Sequence, residues 1–584
     1  MAKAKLVLQE KQEKALRIIR KIIRKASELE KQHESMWSKV LPVYRDSARN
    51  LIHYLAFRSF DIDRLQTPLR ELGLPSLTNV EGHIMHSLLN QQYLLESLLD
   101  QKRSRRKKGF VTIRKSENIL NKNTKQLFGY KSKQRSTRIM VTLPNTAAED
   151  AKYVRRLVSL GMNCARINCA HDDMETWRKM IAHVHDASKA LKRKCKVAMD
   201  LGGPKLRTGP MVEGPKVIHI RPKKDDRGRV TQPSRIWIAP PDVLPPANRE
   251  HDAVLPVDDY LFSKIKRGST LHFTDARRKK CKISIEKKEG PGKWGLCSDS
   301  AYLETGMQLT MTRMKETGEE VSRVGELLPK EQFITLFASD RLIVHRDPRP
   351  GENAVYGPDG QLVAPAHISC TLPEVFEDIK PNEPIYFDDG KIEGVIETVS
   401  PDEMMVQITQ ARDRGSKLRA DKGINLPESV LTIGGLTDKD RSDLDFVAEH
   451  ADVINYSFVN RPKDVKDLYE LLNQKGSQAG IILKIETQEA FAQLPGILLA
   501  AMKRYPLGVM IARGDLAIET GWKNFASIQQ EIMRICAAAH LPSVWATQVL
   551  ESMAKKGIPS RAEITDAAIA EQAECVMLNK GFYI

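Results

Sequence analysis

The 584-residue chain contains no uninterrupted apolar run of about 18 residues, which excludes an ordinary membrane-spanning helix. Its N-terminus, MAKAKLVLQEKQEKALRIIRKIIRK, lacks the apolar core and cleavage site of a secretory signal. There is no CxxC pair. The eight cysteines are scattered at 164, 169, 195, 281, 297, 370, 536 and 575. In a chain this long that pattern fits free thiols in a reducing cytosol, so a cytoplasmic location is expected. The basic stretches QKRSRRKKGF (101–110) and YKSKQRSTR (130–138) have no aromatic platform or nucleic-acid module beside them, and they read as solvated connectors. A net charge of +18 favours anionic partners, nucleotides and phosphates or nucleic acid, without choosing among them.

What is present points to three or four domains with real cores, since 41% of the residues are hydrophobic. Residues 1 to about 105 read as helices, with Leu16, Ile19, Ile22 and Ile23 at helical spacing and Pro68 and Pro75 as breaks. The basic, amphipathic first helix has two readings: a binder of RNA or a membrane surface, or a helix docked on its own protein. The second is the expectation. The stretch from Gly480 to Gln548 organises the rest. GIILKIETQEAF, GVMIARGDLAIE and PSVWATQVLESM are apolar runs that exit in Lys484 and Glu486, Arg513 and Asp515, and Thr547 and Gln548. Helical spacing, as in Ile528, Ile532, Ile535 and Cys536, lies between them. Strand, polar exit and helix in repetition is the pattern of parallel βα units, whose strand ends share one face. Glu486 and Asp515 then converge, and paired carboxylates suit a hard divalent cation. Strands are expected at 138–143, 163–168, 195–201, 453–458, 480–486, 507–513, 542–548 and 575–579, with a helix over 148–160. The interval 210–420, rich in prolines and short alternating strands, reads as an inserted β domain. Within it IKRGSTLHFTDARRKKCKI (265–283) echoes IKPNEPIYFDDGKIEGVIE (379–397), matching Ile265, Lys266, Phe273 and Asp275 to Ile379, Lys380, Phe387 and Asp389. A partly duplicated unit and a chance likeness of two hairpins both fit.

The motifs KIETQE, MIARGDLAIE and WATQVLESM resemble the catalytic barrel of pyruvate kinases, as do TRIMVTLPN, GMNCARINCAH, MDLGGPKLRTG and DKGINLP. The resemblance runs from about Thr137 onward and is patchy between 210 and 420. It implies an α/β fold: a (β/α)8 barrel over 131–209 and 421–584, an inserted all-β lid over 210–420, and a helical extension with basic linker over 1–130. The activity it implies is phosphoryl transfer from phosphoenolpyruvate to ADP, giving pyruvate and ATP. The alternative is a catalytically weak scaffold, or an RNA-associated protein using the basic N-terminal region. A homo-oligomer without membrane attachment is expected.

Carried over residue by residue, the resemblance implies that Glu486 and Asp515 hold Mg²⁺ or Mn²⁺. Lys484 would neutralise the moving phosphoryl group, Arg166 would bind phosphate, and Thr547 would lie where the enolate is protonated. The backbone of Ala512, Arg513 and Gly514 would receive the substrate carboxylate, with Ser457 also on the substrate side. Pro144, Asn168, His171, Arg207 and Lys422 would face the nucleotide, and Asp388 or Asp389 would be the lid acid. The family's monovalent-cation site keeps Asn168 and Asp200 here, but Ala170 and Leu201 stand where Ser and Thr are usual. Lys205 occupies a position typically Glu in cation-dependent members, so it is expected to substitute for K⁺. After the eighth strand, Asn579-Lys580-Gly581 stands where a Gly-Glu-Thr loop is usual. The eighth helix and the C-terminal domain of many members are not found, and the N-terminal helices are expected to cover the seam this leaves.

Overall fold

A computed structural model of the chain describes residues 2–102, 109–132, 135–246, 250–313, 318–581 and 583–584. The core of the basic stretch 101–110, and 133–134 of the second, lie outside the described residues.

Eight parallel strands close into a barrel: β1 (Arg138–Thr142), β2 (Cys164–Asn168), β3 (Lys196–Asp200), β4 (Val453–Tyr456), β5 (Gly480–Ile485), β6 (Leu507–Ala512), β7 (Ser543–Ala546) and β8 (Cys575–Leu578). Pairing of Arg138 with Cys575 and of Val141 with Leu578 seals β1 to β8. The later strands stop before their polar exits, with Glu486 beyond β5, Arg513 beyond β6 and Thr547 and Gln548 beyond β7, whereas β2 and β3 keep Asn168 and Asp200 in the ladder. Thr547 and Gln548 turn out of β7 at φ 65° and 54°, in the left-handed region.

The N-terminal helices are α1 (Ala2–Gln32), α2 (Arg45–Arg58), α3 (Asp63–Glu71), α4 (Ile84–Leu98) and α5 (Ile113–Phe128). They share one core with the barrel helices, from Ile19 and Leu51 through to Ile532. The polar anchors are specific. Asn50 Nδ2 donates to the Ala538 carbonyl at 2.8 Å, Tyr54 donates to Glu531 at 2.8 Å, and the buried His540 ring lies 2.9 Å from Ser47 Oγ and 2.8 Å from the Gly82 carbonyl. The stretch 113–128, between the two basic segments, is a helix capped by Thr112. One expectation is corrected. The N-terminal helices cover the base of the barrel and the helix Trp522–Ala538, not the flank of the last strand, where Val576 and Leu578 stay half-buried. The reason is the end of α5: Leu127 and Phe128, both fully buried, plug the bottom of the barrel among Met140, Ile482, Met510 and Val544. Gly480 and Gly508 make room, since a Cβ on either would lie within 3 Å of Leu127.

Between β3 and β4 the chain builds two β units, not one. The first has strands Val217–Ile220, Ser234–Ala239, Ala253–Pro256, Ser269–Thr274, Lys280–Glu289, Gly292–Cys297, Ala301–Glu304 and Gln308–Arg313. The second has Ile334–Leu336, Arg341–His345, Ala366–Ser369, Pro384–Phe387, Ile392–Val399, Glu403–Gln410, Ser416–Leu418 and Ile424–Asn425. Taken in chain order, the two sets pair alike. The first strand pairs antiparallel with the seventh, the second runs antiparallel to the sixth and parallel to the third, and the fourth is antiparallel to the fifth and the eighth. Each unit has its own hydrophobic core. The insert is therefore two complete units, where the sequence left open a partly duplicated unit or a chance likeness of two hairpins.

Truncating the plug tests how far the barrel depends on the N-terminal helices. Leu127→Ala is expected to lower unfolding stability by about 2–5 kcal/mol in chemical denaturation, as for other buried leucines. A loss under about 1 kcal/mol would show that the barrel base does not need the plug.

Candidate active site

At the C-terminal mouth the polar strand ends form one charged cluster. Lys484, the last residue but one of β5, has a side chain only 11% exposed, and its Nζ lies 2.6 Å from Ser457 Oγ, 3.0 Å from Glu486 Oε1 and 3.5 Å from Asp200 Oδ2. Asp200, at the end of β3 and 1% exposed, binds Arg166 through two parallel bonds of 2.9 and 2.7 Å, and Arg166 also donates to Thr142 Oγ1. Burial alone would raise the Asp200 carboxyl; Arg166 and Lys484 outweigh it and hold the group below its usual range. Glu486 behaves oppositely. Burial, with the Asp515 charge adding, pushes its carboxyl above the usual range despite Lys484 and the 2.6 Å bond from the Phe458 amide. Lys205 reaches across to Asp515 Oδ1 at 2.7 Å.

The sequence-expected residues fall into two groups around this cluster. Lys205, Asp389, Arg513, Gly514, Asp515 and Thr547 line a cavity of about 350 Å³. Its floor holds an unused acceptor and donor: Thr547 Oγ1 is buried without a hydrogen-bond partner among the described residues. The Arg513 side chain is engaged at the edge of this cavity, donating to the Ala546 carbonyl at 2.8 Å and pairing with Asp566, another lining residue, while stacked on Trp545. Arg166, Asn168 and His171 line a second cavity of about 730 Å³. Pro144 directly precedes another of its lining residues, Asn145. Arg207 and Lys422 are not among the residues lining that cavity and lie on the two chain segments that join the lid to the barrel. Arg207 pairs with Gly423 across this hinge and binds the Asp421 carbonyl at 3.0 Å, and Lys422 Nζ is 3.8 Å from Asp388.

Three features of the site escape the sequence pattern. Lys555, on the helix Glu551–Lys556, and Lys580, just past β8, also line the larger cavity, and only the closed barrel brings them there. Asn455 on β4 donates to Asp200 from inside the barrel. Glu519, one turn beyond Asp515 on the helix Arg513–Thr520, accepts from Asn425 Nδ2 at 2.8 Å, tying the returning hinge strand to the helix that carries a candidate metal ligand. A carboxylate four residues after an Asp looks like a solvated helix face until the hinge strand is laid against it.

A βα barrel with buried charges at its mouth and an inserted β lid over them is an enzyme architecture. The family described as "Pyruvate kinase, barrel domain" matches residues 134–235 and 355–581, more than half of the chain, which therefore belongs to the pyruvate kinase family. The chain is similar to a pyruvate kinase of Hypocrea jecorina, 37% identical over 204 residues, 34% of this chain and 36% of that protein. A Methylorubrum extorquens pyruvate kinase is 33% identical over 240 residues, 41% of this chain and 45% of that one. The pyruvate kinase PKLR of Rattus norvegicus is 36% identical over 198 residues, 33% of each. The chain thus spans between a third and a half of the length of these relatives. The family match skips 236–354, which is most of the first β unit and the start of the second.

The Glu519 carboxyl has a measurable consequence. Burial pushes it up to about 7 from 4.5, against the Asn425 bond. The folded state then holds a proton that the unfolded chain releases, so this stabilisation is complete below pH 4.5 and is lost as the pH rises through 7. Glu519→Gln keeps the acceptor oxygen and does not ionise. In metal-free buffer its stability relative to the wild type is expected to rise by about 1–3 kcal/mol between pH 5 and pH 8. A pH-independent difference would contradict the assignment.

Proposed function

We propose that this protein transfers the phosphoryl group of phosphoenolpyruvate to ADP, giving pyruvate and ATP. The observation that carries the reading is the placement of Lys484, a largely buried ammonium 3.0 Å from Glu486 and beside the ion pair of Arg166 with Asp200. Phosphoryl transfer asks for positioning and charge neutralisation more than for covalent help, and this cluster offers fixed cations in a water-poor setting.

The residues fit a divalent cation. Among the described residues no group of three or more His, Cys, Asp or Glu side chains forms a cage, so the protein would supply Glu486 and Asp515 and leave the remaining positions to substrate and water oxygens, as Mg²⁺ prefers. The raised Glu486 carboxyl, partly an effect of Asp515, is the repulsion that such a cation relieves. When bound, Mg²⁺ or Mn²⁺ supplies Lewis-acid stabilisation of the phosphate and enolate oxygens. The chain's own residues do the rest. Lys484 meets the charge on the moving group, Arg166 offers a planar fork to phosphate oxygens, and the backbone of Ala512, Arg513 and Gly514, at a helix start, would receive the substrate carboxylate. Thr547 places its free hydroxyl where the enolate takes a proton. Asn168 and His171, with the hinge residues Arg207 and Lys422, form the nucleotide side under a lid that brings Asp388 and Asp389 to the mouth. The reading also places the enzyme in the cytoplasm as a homo-oligomer, which light scattering of the purified protein tests.

The reading includes independence from K⁺. Asp200 is already engaged by Arg166, Lys484 and Asn455, and Leu201 is buried and apolar where an oxygen ligand would be needed. Lys205 beside Asp515 supplies a tethered positive charge in the same region.

A coupled assay of ADP-dependent pyruvate formation tests the activity. The wild type is expected to turn over with Mg²⁺, and Glu486→Gln to lose about 100-fold or more in kcat, because the contact matters most in the transition state. Wild-type turnover in Glu486→Gln contradicts the site. In buffers whose sole monovalent cation is tetramethylammonium, adding K⁺ is expected to stimulate less than about twofold, whereas Lys205→Glu should create a K⁺ requirement. Strong stimulation of the wild type contradicts the role of Lys205.

A further inference from the structure

We propose that the first β unit, residues 216–329, is a second copy of the lid that has left the catalytic site, so that the second unit alone serves as lid and the first is removable. This rests on the phosphoryl-transfer reading only for its activity readout.

The likeness of the two units extends below strand order to single backbone bonds. The Ile265 amide donates to the Leu261 carbonyl at 3.0 Å, and the Ile379 amide to the Val375 carbonyl at 3.2 Å. Three residues on, Gly268 and Asn382 both take positive φ, 83° and 71°, and their amides reach the Ile285 and Ile396 carbonyls of the adjoining hairpin. Phe273 and Phe387 then close the strand in their respective cores, and an aspartate, Asp275 or Asp389, follows two residues later. Left-handed residues at the same offset from the same bonds are not demanded by a generic β hairpin. They fit one unit present twice.

The copies part at that aspartate. In the second unit the hairpin tip sits on the barrel mouth: Asp389 lines the cavity with Lys205 and Thr547, and Gly390 faces Ile518 so closely that a Cβ would lie 3.1 Å from it. In the first unit Asp275 is 2% exposed. It accepts the amides of Arg277 and Lys279, both at 2.9 Å, that of Tyr302 at 3.3 Å and the Arg277 guanidinium at 2.9 Å. That carboxylate is consumed in holding its own loop and has no free oxygen to offer a substrate or cation. The flanking charges differ as well: Asp388 stands before Asp389 where Thr274 precedes Asp275, and Asp275 is followed by Arg277, Arg278, Lys279 and Lys280 where Asp389 is followed by Gly390 and Lys391.

The first unit is attached in a way that permits its removal. Its entry and exit meet: the Lys330 amide donates to the Pro215 carbonyl at 3.1 Å, and a Cβ on Gly214 would lie 2.3 Å from the Lys330 carbonyl oxygen. Its core is separate from that of the second unit. Joining Pro215 directly to Lys330 links two ends that already lie within hydrogen-bond distance of each other.

The test is the chain lacking 216–329, compared with the full chain. Hydrogen exchange reads the lid without turnover: protection over 384–425 and 513–520 is expected to match the full chain, and kcat/KM to stay within about threefold. In the full chain, Asp275→Ala should loosen exchange protection within 216–329 and leave turnover unchanged, while Asp389→Ala should lower turnover. Lost protection over 384–425 in the shortened chain would overturn the proposal. So would a more than tenfold loss of turnover with protection intact, or a fall in turnover on Asp275→Ala equal to that on Asp389→Ala. Intact protection in a shortened chain as inactive as the full one would support the lid assignment while refuting the phosphoryl-transfer reading.

Discussion

The mouth of the barrel depends on pairing charges that burial would otherwise expel. An unpaired buried carboxylate or ammonium costs several kcal/mol. Asp200, Glu486, Lys484 and Arg166 are all largely withdrawn from water, yet each has partners: Arg166 forks onto Asp200, Lys484 bridges Ser457 and Glu486, and the Phe458 amide takes the other Glu486 oxygen. Barrel register makes this possible. Asn168 pairs with Asp200, and Asp200 with Asn455, so side chains distant in sequence arrive at one height. One group stays strained: the Glu486 carboxyl is pushed upward by burial and by Asp515. The site is balanced except where a divalent cation would complete it.

The rest of the fold serves this mouth from two sides. Below, Leu127 and Phe128 close the base, which leaves the strand ends as the open face of the barrel. Above, the lid returns through Gly423 and Asn425, and Asn425 clasps Glu519 on the helix that starts with Arg513, Gly514 and Asp515. Lid position and the Asp515 helix are thus joined by one hydrogen bond of 2.8 Å. Movement of the lid without a response of that helix would have to break it.

Much of this was legible in the sequence because it follows from local pattern. The apolar runs ending in Lys484, Arg513 and Thr547 are strands with polar exits, and parallel strands put their exits together. The plug was not legible: NILNKNTKQLF looks polar, and the burial of Leu127 and Phe128 comes from the barrel base laid over them. Lys205 stood out, but its partner Asp515 lies 310 positions away and meets it only across the closed mouth. Glu519 was invisible for the same reason. The doubling of the lid showed as four matched residues in two hairpins, because β units tolerate wide substitution as long as inward positions stay apolar. Its completeness appears only in the strand pairing.

The central claim is that Glu486 and Asp515 make an incomplete cation site that substrate oxygens finish. Titration of Mn²⁺ followed by electron paramagnetic resonance tests it most directly. Weak binding by the protein alone is expected, tightening by about tenfold or more when phosphoenolpyruvate is present and abolished in Asp515→Asn. Mn²⁺ affinity indifferent to phosphoenolpyruvate, or retained in Asp515→Asn, would contradict the account.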